Sequence, residues 1–549
     1  MVKYSPSKIK DFLTQTQNTI LSAAFFISFF YFISAFLGLV KSRVLVSFFG
    51  TSEDLSLFFL ADRIPTAIYS TIFLGSLSTV FIPVFLKNYI SDQEKAYKFA
   101  SNLFNIVLVF FLVISGLIFI FSKEVLYIIS FGSLTFTQLD LSSGLLNIML
   151  IGQVILIVSS FLTSILNANK NFIVPSLAPV VFNLGYLISV PLLFPFTGIY
   201  SASYGMIIGS VLHLFIQVPF FLKTGFVWSN VFNLKDPEVK STFLLSFSSF
   251  LATLISQLII VLETSYALMV SQASVIYLKF ADQLRYFPVH LFGASIAIAA
   301  LPILATESEE SSKSNFIKTV KTSFLQIIYL SIPVSVLLIV LKIPLVRIFY
   351  GAEKFTWVDT VATANALAVF SLAIFSQSCI IFLSKCFYAL KNTKVPLVSS
   401  FITLLVTGIF PIYFILNSYS VDFVILGFVL GSYVALIYLL FQLHKLVPDI
   451  NIKTLFSPFL KILLAGFVMS LFLYFPLQLL DNFIFNSTEV WQLLLLTLIV
   501  SIIGFVVYTF ITYKFKLPEV LLMFKILRKL KIKSIKLENL ENQLNQSLS

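Results

Sequence analysis

Apolar stretches of about 20 residues follow one another along nearly the whole chain, separated by short polar breaks. They lack the apolar–polar alternation that marks a strand. A stretch of this length crosses the roughly 30 Å hydrocarbon core of a bilayer as an α-helix, which pairs every backbone polar group internally. The sequence therefore predicts an all-α, polytopic membrane protein.

The polar breaks predict about fourteen transmembrane helices. The predicted spans are approximately 17–40, 55–86, 99–122, 141–166, 172–195, 200–222, 243–270, 276–304, 315–341, 360–384, 395–417, 421–444, 456–478 and 490–513. The second and eighth are longer than a bilayer requires and contain Pro65 and Pro288. We expect these two helices to be tilted or broken near one surface.

Composition agrees with this assignment and sets the orientation. Of 549 residues, 58% are hydrophobic and 11% charged, with a net charge of +12. Most of the Lys and Arg residues fall at the N-terminus, in the even-numbered loops and in the C-terminal tail. The positive-inside rule then predicts cytoplasmic termini in the cell (inner) membrane, and it accounts for the basic charge without a nucleic-acid partner.

An internal repeat divides most of the chain. Residues 162–175 (LTSILNANKNFIVP) match residues 383–396 (LSKCFYALKNTKVP) at an offset of 221. Residues 60–63 (LADR) and 280–283 (FADQ) match at an offset of 220. Because each half has an even number of helices, the sequence predicts two parallel six-helix repeats, which form lobes around a central cavity, and two further C-terminal helices.

The predicted organisation has six parts. They are a cytoplasmic N-terminus (1–16), a first six-helix lobe (17–222), a cytoplasmic linker (223–242), a second six-helix lobe (243–444), helices 13 and 14 (445–513) and a basic cytoplasmic tail (514–549). The loops are too short for a soluble catalytic domain, and the chain has no Walker, GxGxxG or HExxH motif. We therefore expect no enzyme activity, no cofactor and no metal site.

Ionisable residues inside spans are costly and must face protein, water or cargo. The first half has four candidates near helices 1 and 2, and the second half has four in helices 7 and 8. They are Lys41, Arg43, Asp62, Arg63, Glu263, Lys279, Asp282 and Arg285. In one interpretation the cations bind an anionic pyrophosphate or carboxylate in the cavity, while Asp62, Asp282 and Glu263 order them or bind a coupling cation. In the other, the same groups form structural ion pairs or reach the outer headgroups.

Three stretches resemble the MurJ (MviN) family, lipid II flippases of the MOP superfamily. The first begins at Ser34 with SAFLGLVKSRVLVSFFGTSEDLSLFFLADRIP and continues through GSLSTVFIPVF to Phe85. The others are ILNANKNFIVPSLAPVVFN (165–183) and FADQLRYFP (280–288). With the helix count, the resemblance covers nearly the whole chain. It implies two six-helix lobes, and a groove for the lipid tail formed by helices 13 and 14.

The charged positions follow the family pattern in part. Arg63 and Asp282 match positions that are typically basic and acidic, and Lys41 replaces an arginine, which keeps the charge but loses the bidentate fork. Four other positions depart from the pattern, with Ala35, Ser56, Tyr69 and Gln283 standing where the family has Arg, Asp, Arg and Arg. We hypothesise that Lys279 and Arg285 restore positive charge nearby.

The resemblance implies outward transfer of the undecaprenyl-pyrophosphate-linked peptidoglycan precursor, lipid II, by alternating access. The expected partners are this cargo and membrane lipids, with a monovalent cation or the membrane potential as an energy source, and we expect a monomer. Two alternatives remain open. One is a MOP-type flippase for another lipid-linked oligosaccharide, which the missing arginines favour. The other is a cell-wall scaffold that does not transport.

Overall fold

The computed structural model describes residues 20–72, 78–309, 313–450, 453–485 and 489–521. Helices account for nearly all of them. In chain order they are α1 (Ile20–Phe49), α2 (Glu53–Tyr69), α3 (Ser78–Ser91), α4 (Gln93–Ile120), α5 (Ser122–Ile129), α6 (Phe136–Ala168), α7 (Ile173–Thr197), α8 (Tyr200–Phe215), α9 (Val218–Phe221), α10 (Pro237–Val270), α11 (Gln272–Pro288), α12 (Ser295–Glu309), α13 (Ser314–Val340), α14 (Lys342–Tyr350), α15 (Trp357–Ala389), α16 (Lys394–Leu416), α17 (Asp422–Leu446), α18 (Lys453–Phe483) and α19 (Val490–Lys514). The predicted N-terminus (1–16) and residues 522–549 of the predicted tail lie outside this description.

Thirteen helices among the described residues are long and apolar enough to cross a membrane, which confirms the all-α polytopic class. The predicted second span includes residues 73–77, which lie outside the description, and it is described as α2 before them and α3 after them. Residues 70–72 adopt a π-helical turn after Pro65. The predicted eighth span is continuous from Gln272 to Glu309, with a π-helical segment at Val289–Ala294 directly after Pro288. A proline lacks the N–H that an α-helical hydrogen bond needs, so both irregularities follow from sequence chemistry.

The first helix extends further than predicted. α1 ends at Phe49 instead of about residue 40, because nothing in the sequence breaks it before Gly50. Gly50 has a φ of +62°, and a Cβ there would lie 2.9 Å from the carbonyl oxygen of Lys354. Lys41 and Arg43 are therefore inside the helix and do not stand at its outer end.

Helix bounds recur along the two halves of the chain. α5 (Ser122–Ile129) corresponds to α14 (Lys342–Tyr350), and α6 (Phe136–Ala168) corresponds to α15 (Trp357–Ala389). The starts of these pairs differ by 220 and 221 residues, the offsets of the sequence repeat. Neither α5 nor α14 was predicted, because each is too short to produce a spanning apolar window.

The repeated KN dipeptide has the same conformation in both halves. Lys170 and Lys391 adopt left-handed backbone angles, with φ of 59° and 58°. The N–H of Asn171 donates to the carbonyl of Leu166 (3.0 Å), and that of Asn392 donates to Phe387 (2.9 Å). Both helices therefore end in a Schellman motif, with lysine at the position where glycine is usual.

Replacing Lys170 with glycine is expected to stabilise the protein by about 1 kcal/mol, because glycine adopts the left-handed conformation without a Cβ penalty. The Lys170 side chain is exposed, so little contact energy is lost. The measurement is the unfolding midpoint in detergent. Lys391→Gly is the comparison, because it also removes the 2.9 Å bond from Lys391 to Glu309. A lower midpoint for Lys170→Gly would contradict the expectation.

The described structure divides into two compact units. The first unit comprises the described residues within 1–284, 349–369 and 393–435, and the second comprises those within 285–348, 370–392 and 436–549. In the first unit α7 packs on α1 and α8, and α10 packs on α16 and α2. In the second unit α18 packs on α13 and α19. These units do not coincide with the predicted six-helix lobes, whose bounds stay a prediction.

Candidate functional site

Five of the predicted charged residues come together in the first unit. The charge of Lys279 on α11 interacts with Lys41 on α1, with Asp62 and Arg63 on α2, and with Asp282 on its own helix. Lys41 also interacts with Asp62. We call these five residues the charged cluster. Three cations and two carboxylates leave it with an excess of positive charge.

Two lysines of the charged cluster lie over aromatic rings. The Nζ of Lys41 is 4.5 Å from the centroid of the Tyr186 ring on α7. The Nζ of Lys279 is 5.9 Å from the centroid of the Phe59 ring on α2. An aromatic face stabilises a desolvated ammonium group without neutralising it. The two rings therefore offset part of the cost of placing these ammonium groups among packed helices.

Arg63 has a buried donor that no described residue satisfies. Its side chain is only 7% exposed, and its Nε donates to Thr264 Oγ1 on α10 at 3.0 Å. Its Nη2 is buried and has no hydrogen-bond partner among the described residues. A buried, charged donor without an acceptor costs at least about 1–3 kcal/mol, so this atom fits a site that an anionic acceptor or water fills.

The remaining predicted residues occupy different surroundings. Glu263 on α10 is 4% exposed and precedes the Thr264 that binds Arg63. Arg43 is half-buried on α1, two residues beyond Lys41. Arg285 belongs to the second unit, where its guanidinium carbon lies 4.7 Å from the centroid of the Phe370 ring. The charged cluster thus contains five of the eight predicted residues, and the cavity role of all eight stays a prediction.

Two positions that depart from the family pattern carry hydrogen bonds to neighbouring helices. Gln283 Oε1 accepts from Ser42 Oγ at 2.7 Å and from the Tyr350 hydroxyl at 3.5 Å, which links α11 to α1 and α14. The hydroxyls of Tyr69 and Ser160 lie 2.6 Å apart, which links α2 to α6. Neutral side chains thus join helices at two positions where the resemblance implies arginine.

The other two departures are small residues. Ser56 is fully buried, and its Oγ has no hydrogen-bond partner among the described residues. Ala35 is half-buried on α1. Neither can replace the charge that the family carries at its position.

Sequence reasoning missed Asp359, which ties together the ends of the helices that carry the charged cluster. Its Oδ1 accepts from Thr51 at the α1–α2 turn (2.9 Å) and from the Tyr277 hydroxyl on α11 (2.6 Å). Its Oδ2 accepts from the backbone N–H of Thr356 at 2.8 Å. The signal was present as a capping box, Thr356-x-x-Asp359, at the start of α15.

The thirteen candidate spans define a multi-pass membrane protein. A sequence profile of the family described as "Lipid II flippase MurJ" matches residues 45–518, and the chain belongs to that family.

Individual relatives agree with this membership. A probable lipid II flippase MurJ from Bdellovibrio bacteriovorus is 27% identical over 455 residues, which cover 79% of this chain and 86% of that one. One from Buchnera aphidicola of Acyrthosiphon pisum is 28% identical over 383 residues, covering 68% and 74%.

Solved structures show the same fold. The structure described as "Lipid II flippase MurJ, inward closed conformation" has a TM-score of 0.71 and 25% identity, and the match covers 87% of this chain and 97% of that one. An inward-facing multidrug resistance MATE family transporter of the MOP superfamily has a TM-score of 0.62 at 15% identity, over 76% and 95%. The second similarity concerns the fold alone.

Proposed function

We propose that this chain moves lipid II from the inner to the outer leaflet of the cell membrane by alternating access, with both termini in the cytoplasm. The observation that carries the proposal is the charged cluster, in which Arg63 has a buried donor without an acceptor in the described part of the chain. Family membership indicates the class of cargo. The activity is transport, and no bond of the cargo is made or broken.

The cluster suits a pyrophosphate group. Lys41, Arg63 and Lys279 supply cations, and charge-assisted hydrogen bonds to phosphate oxygens are about twice as strong as neutral ones. Asp62 and Asp282 hold the cations in place before cargo arrives, since they interact with Lys279. Because the two carboxylates offset only part of the positive charge, an anionic headgroup neutralises the remaining charge of the cluster.

The lipid tail requires a different surface. α19 presents an apolar groove of about 510 Å³, lined by Ile502, Phe505, Val506, Thr509, Phe510 and Tyr513. This surface lies on the predicted helix 14, one of the two helices to which the family resemblance assigns the tail. We propose that the undecaprenyl chain lies along it while the headgroup occupies the charged cluster.

The energy source is proposed to be a monovalent cation or the membrane potential. Glu263 is buried in α10 beside Thr264, and Asp282 lies within the charged cluster, so both carboxylates can respond to a cation that enters the site. We propose that the protein acts as a monomer. Replacing sodium with choline at fixed membrane potential, in vesicles containing the protein, separates the two energy sources.

Reconstitution of the full chain into vesicles tests the cargo. Labelled lipid II and a different undecaprenyl-linked glycan are supplied in parallel, and their exposure on the opposite leaflet is measured. We expect transfer of lipid II above the rate in protein-free vesicles. Transfer of the other glycan alone would favour the second candidate, a flippase for another lipid-linked oligosaccharide. Tyr69 and Gln283, which stand where the resemblance implies arginine, favour this alternative. Transfer of neither would favour a non-transporting scaffold.

A further inference from the structure

The linker between the two halves runs along α4 and does not extend away from the helices. The hydroxyl of Tyr97, near the start of α4, donates to the carbonyl of Thr224 at 3.5 Å. Further along the same helix, Asn105 Nδ2 donates to the carbonyls of Ser229 (3.2 Å) and Val231 (2.9 Å). The linker thus advances about two helical turns along α4 before it turns back.

The returning part of the linker is also hydrogen-bonded to α4. Asn102 donates from Nδ2 to the carbonyl of Asn233 at 3.0 Å, and its Oδ1 accepts from the N–H of the same residue at 2.7 Å. The linker ends back at the start of α4, where Lys95 pairs with Glu238 at 2.8 Å. Residues 224–235 therefore form a closed loop with both ends at one end of α4.

The depth of the loop follows from the length of α4. α4 ends at Ile120, directly before the charged residues Lys123 and Glu124, which mark the far membrane surface. Asn105 lies 15 residues from Ile120, or about 22 Å along the helix axis, whereas the hydrocarbon core is about 30 Å thick. Asn105 is therefore about 8 Å inside the near boundary, and any tilt of α4 places it deeper.

Non-helical backbone at this depth must find hydrogen-bond partners in the protein. The side chains of Ser101, Asn102 and Asn105 supply them, since Ser101 Oγ also accepts from the N–H of Ser229 at 3.1 Å. From Phe99 to Ile120 the only other polar side chain in this helix is that of Ser115. The hydrogen bonds of Ser101, Asn102 and Asn105 to the backbone of the linker explain why polar side chains occupy these positions.

The chemistry of the loop side chains fits acyl chains. Residues 224–234 (TGFVWSNVFNL) contain no charged residue, and exposed lysines flank them at 223 and 235. Val227, Phe232 and Leu234 are 65%, 54% and 64% exposed. On the other side of the loop, Trp228 packs on Phe104 with ring centroids 5.5 Å apart. The exposed apolar surface of α4 resumes at Val109, so the loop continues a lipid-facing surface.

We propose that residues 224–234 form a re-entrant loop inserted into the leaflet at the Gln93 end of α4, which is the cytoplasmic leaflet in the predicted orientation. Val227, Phe232 and Leu234 contact lipid acyl chains, and Lys223 and Lys235 mark where the chain enters and leaves the headgroup region. This assignment replaces the expectation that the linker is a water-exposed cytoplasmic loop. It is independent of the cargo.

Tryptophan fluorescence of the full chain in vesicles tests the depth. Trp357→Phe and Trp491→Phe together leave Trp228 as the single tryptophan. We expect strong quenching by lipids brominated near the headgroup end of the acyl chain, and weak quenching by aqueous iodide. Strong quenching by iodide, without an effect of brominated lipid, would overturn the proposal. So would the absence of quenching by both, because the loop would then be covered by protein.

Cysteine labelling provides a second, independent measurement. In a background of Cys379→Ala and Cys386→Ala, Val227→Cys or Phe232→Cys is treated with a membrane-impermeant maleimide in nanodiscs. Lys170→Cys, in an exposed turn, is the matched control. We expect labelling at 227 and 232 to be at least about tenfold slower than at 170, as burial of such a side chain in lipid implies. Equal rates would contradict the insertion.

Discussion

Arg63→Ala is expected to reduce transfer of lipid II by about 10- to 100-fold, the loss of a charge-assisted hydrogen bond of about 1.5–3 kcal/mol in a buried site. Arg63 combines a bond to Thr264 with a buried Nη2 that no described residue accepts from. Arg63→Lys keeps the charge but loses the planar guanidinium group. Its transfer rate should therefore fall between that of the unmodified chain and that of Arg63→Ala. The measurement is the initial rate of lipid II exposure in reconstituted vesicles.

Lys123→Ala is the control for this variant. Lys123 is an exposed lysine that pairs with Asp140 at the surface, so its replacement removes one positive charge far from any buried site. Its transfer rate should equal that of the unmodified chain. If Arg63→Ala, expressed and folded to the same level, also transported at the unmodified rate, the charged cluster would be a structural device and the cargo assignment would fail.

Gly209→Val is expected to destabilise the protein by about 3 kcal/mol, because it forces apart two helices in close contact. Gly209 on α8 faces Gly185 on α7, and a Cβ at position 209 would lie 2.6 Å from the carbonyl oxygen of Phe182. Small residues at a helix crossing let backbones approach within membranes, where hydrophobic driving force between helices is absent. The measurement is the unfolding midpoint in detergent.

Gly116→Val makes the same substitution where the structure has space. Gly116 lies within α4, and a Cβ there would have no neighbour within 4 Å. Its midpoint should stay level or rise slightly, because valine has a higher helix propensity than glycine. Equal loss in both variants would show that valine itself, and not the α7–α8 contact, causes the destabilisation.

The charged cluster shows how far sequence reasoning can reach. Each member was recognisable, because an ionisable residue in an apolar span is costly and needs a compensating environment. The sequence did not show which of these residues lie close together in the fold. Asp62 and Lys279 are more than 200 residues apart, and only the packing of α2 and α11 brings their charges together. The Thr264 partner of Arg63 gave no signal, since a threonine in a span is ordinary.

Irregular segments were harder to predict than the helices. Asp359 and the Schellman turns at Lys170 and Lys391 follow local capping rules, and a closer reading of Thr356-x-x-Asp359 would have found the first of them. The course of residues 224–234 follows no local rule. It depends on Asn102 and Asn105 in another helix, whose side chains complete the backbone hydrogen bonds of the linker.

By itself, the sequence determined the membrane class, most of the spans and the candidate charges. These depend on the transfer of each segment from water to hydrocarbon, a free energy that is nearly a sum over its own residues. The tertiary structure alone decided the neighbours of each charge and the path of the linker. Those outcomes depend on contacts between segments distant in sequence, and no sum over one segment contains them.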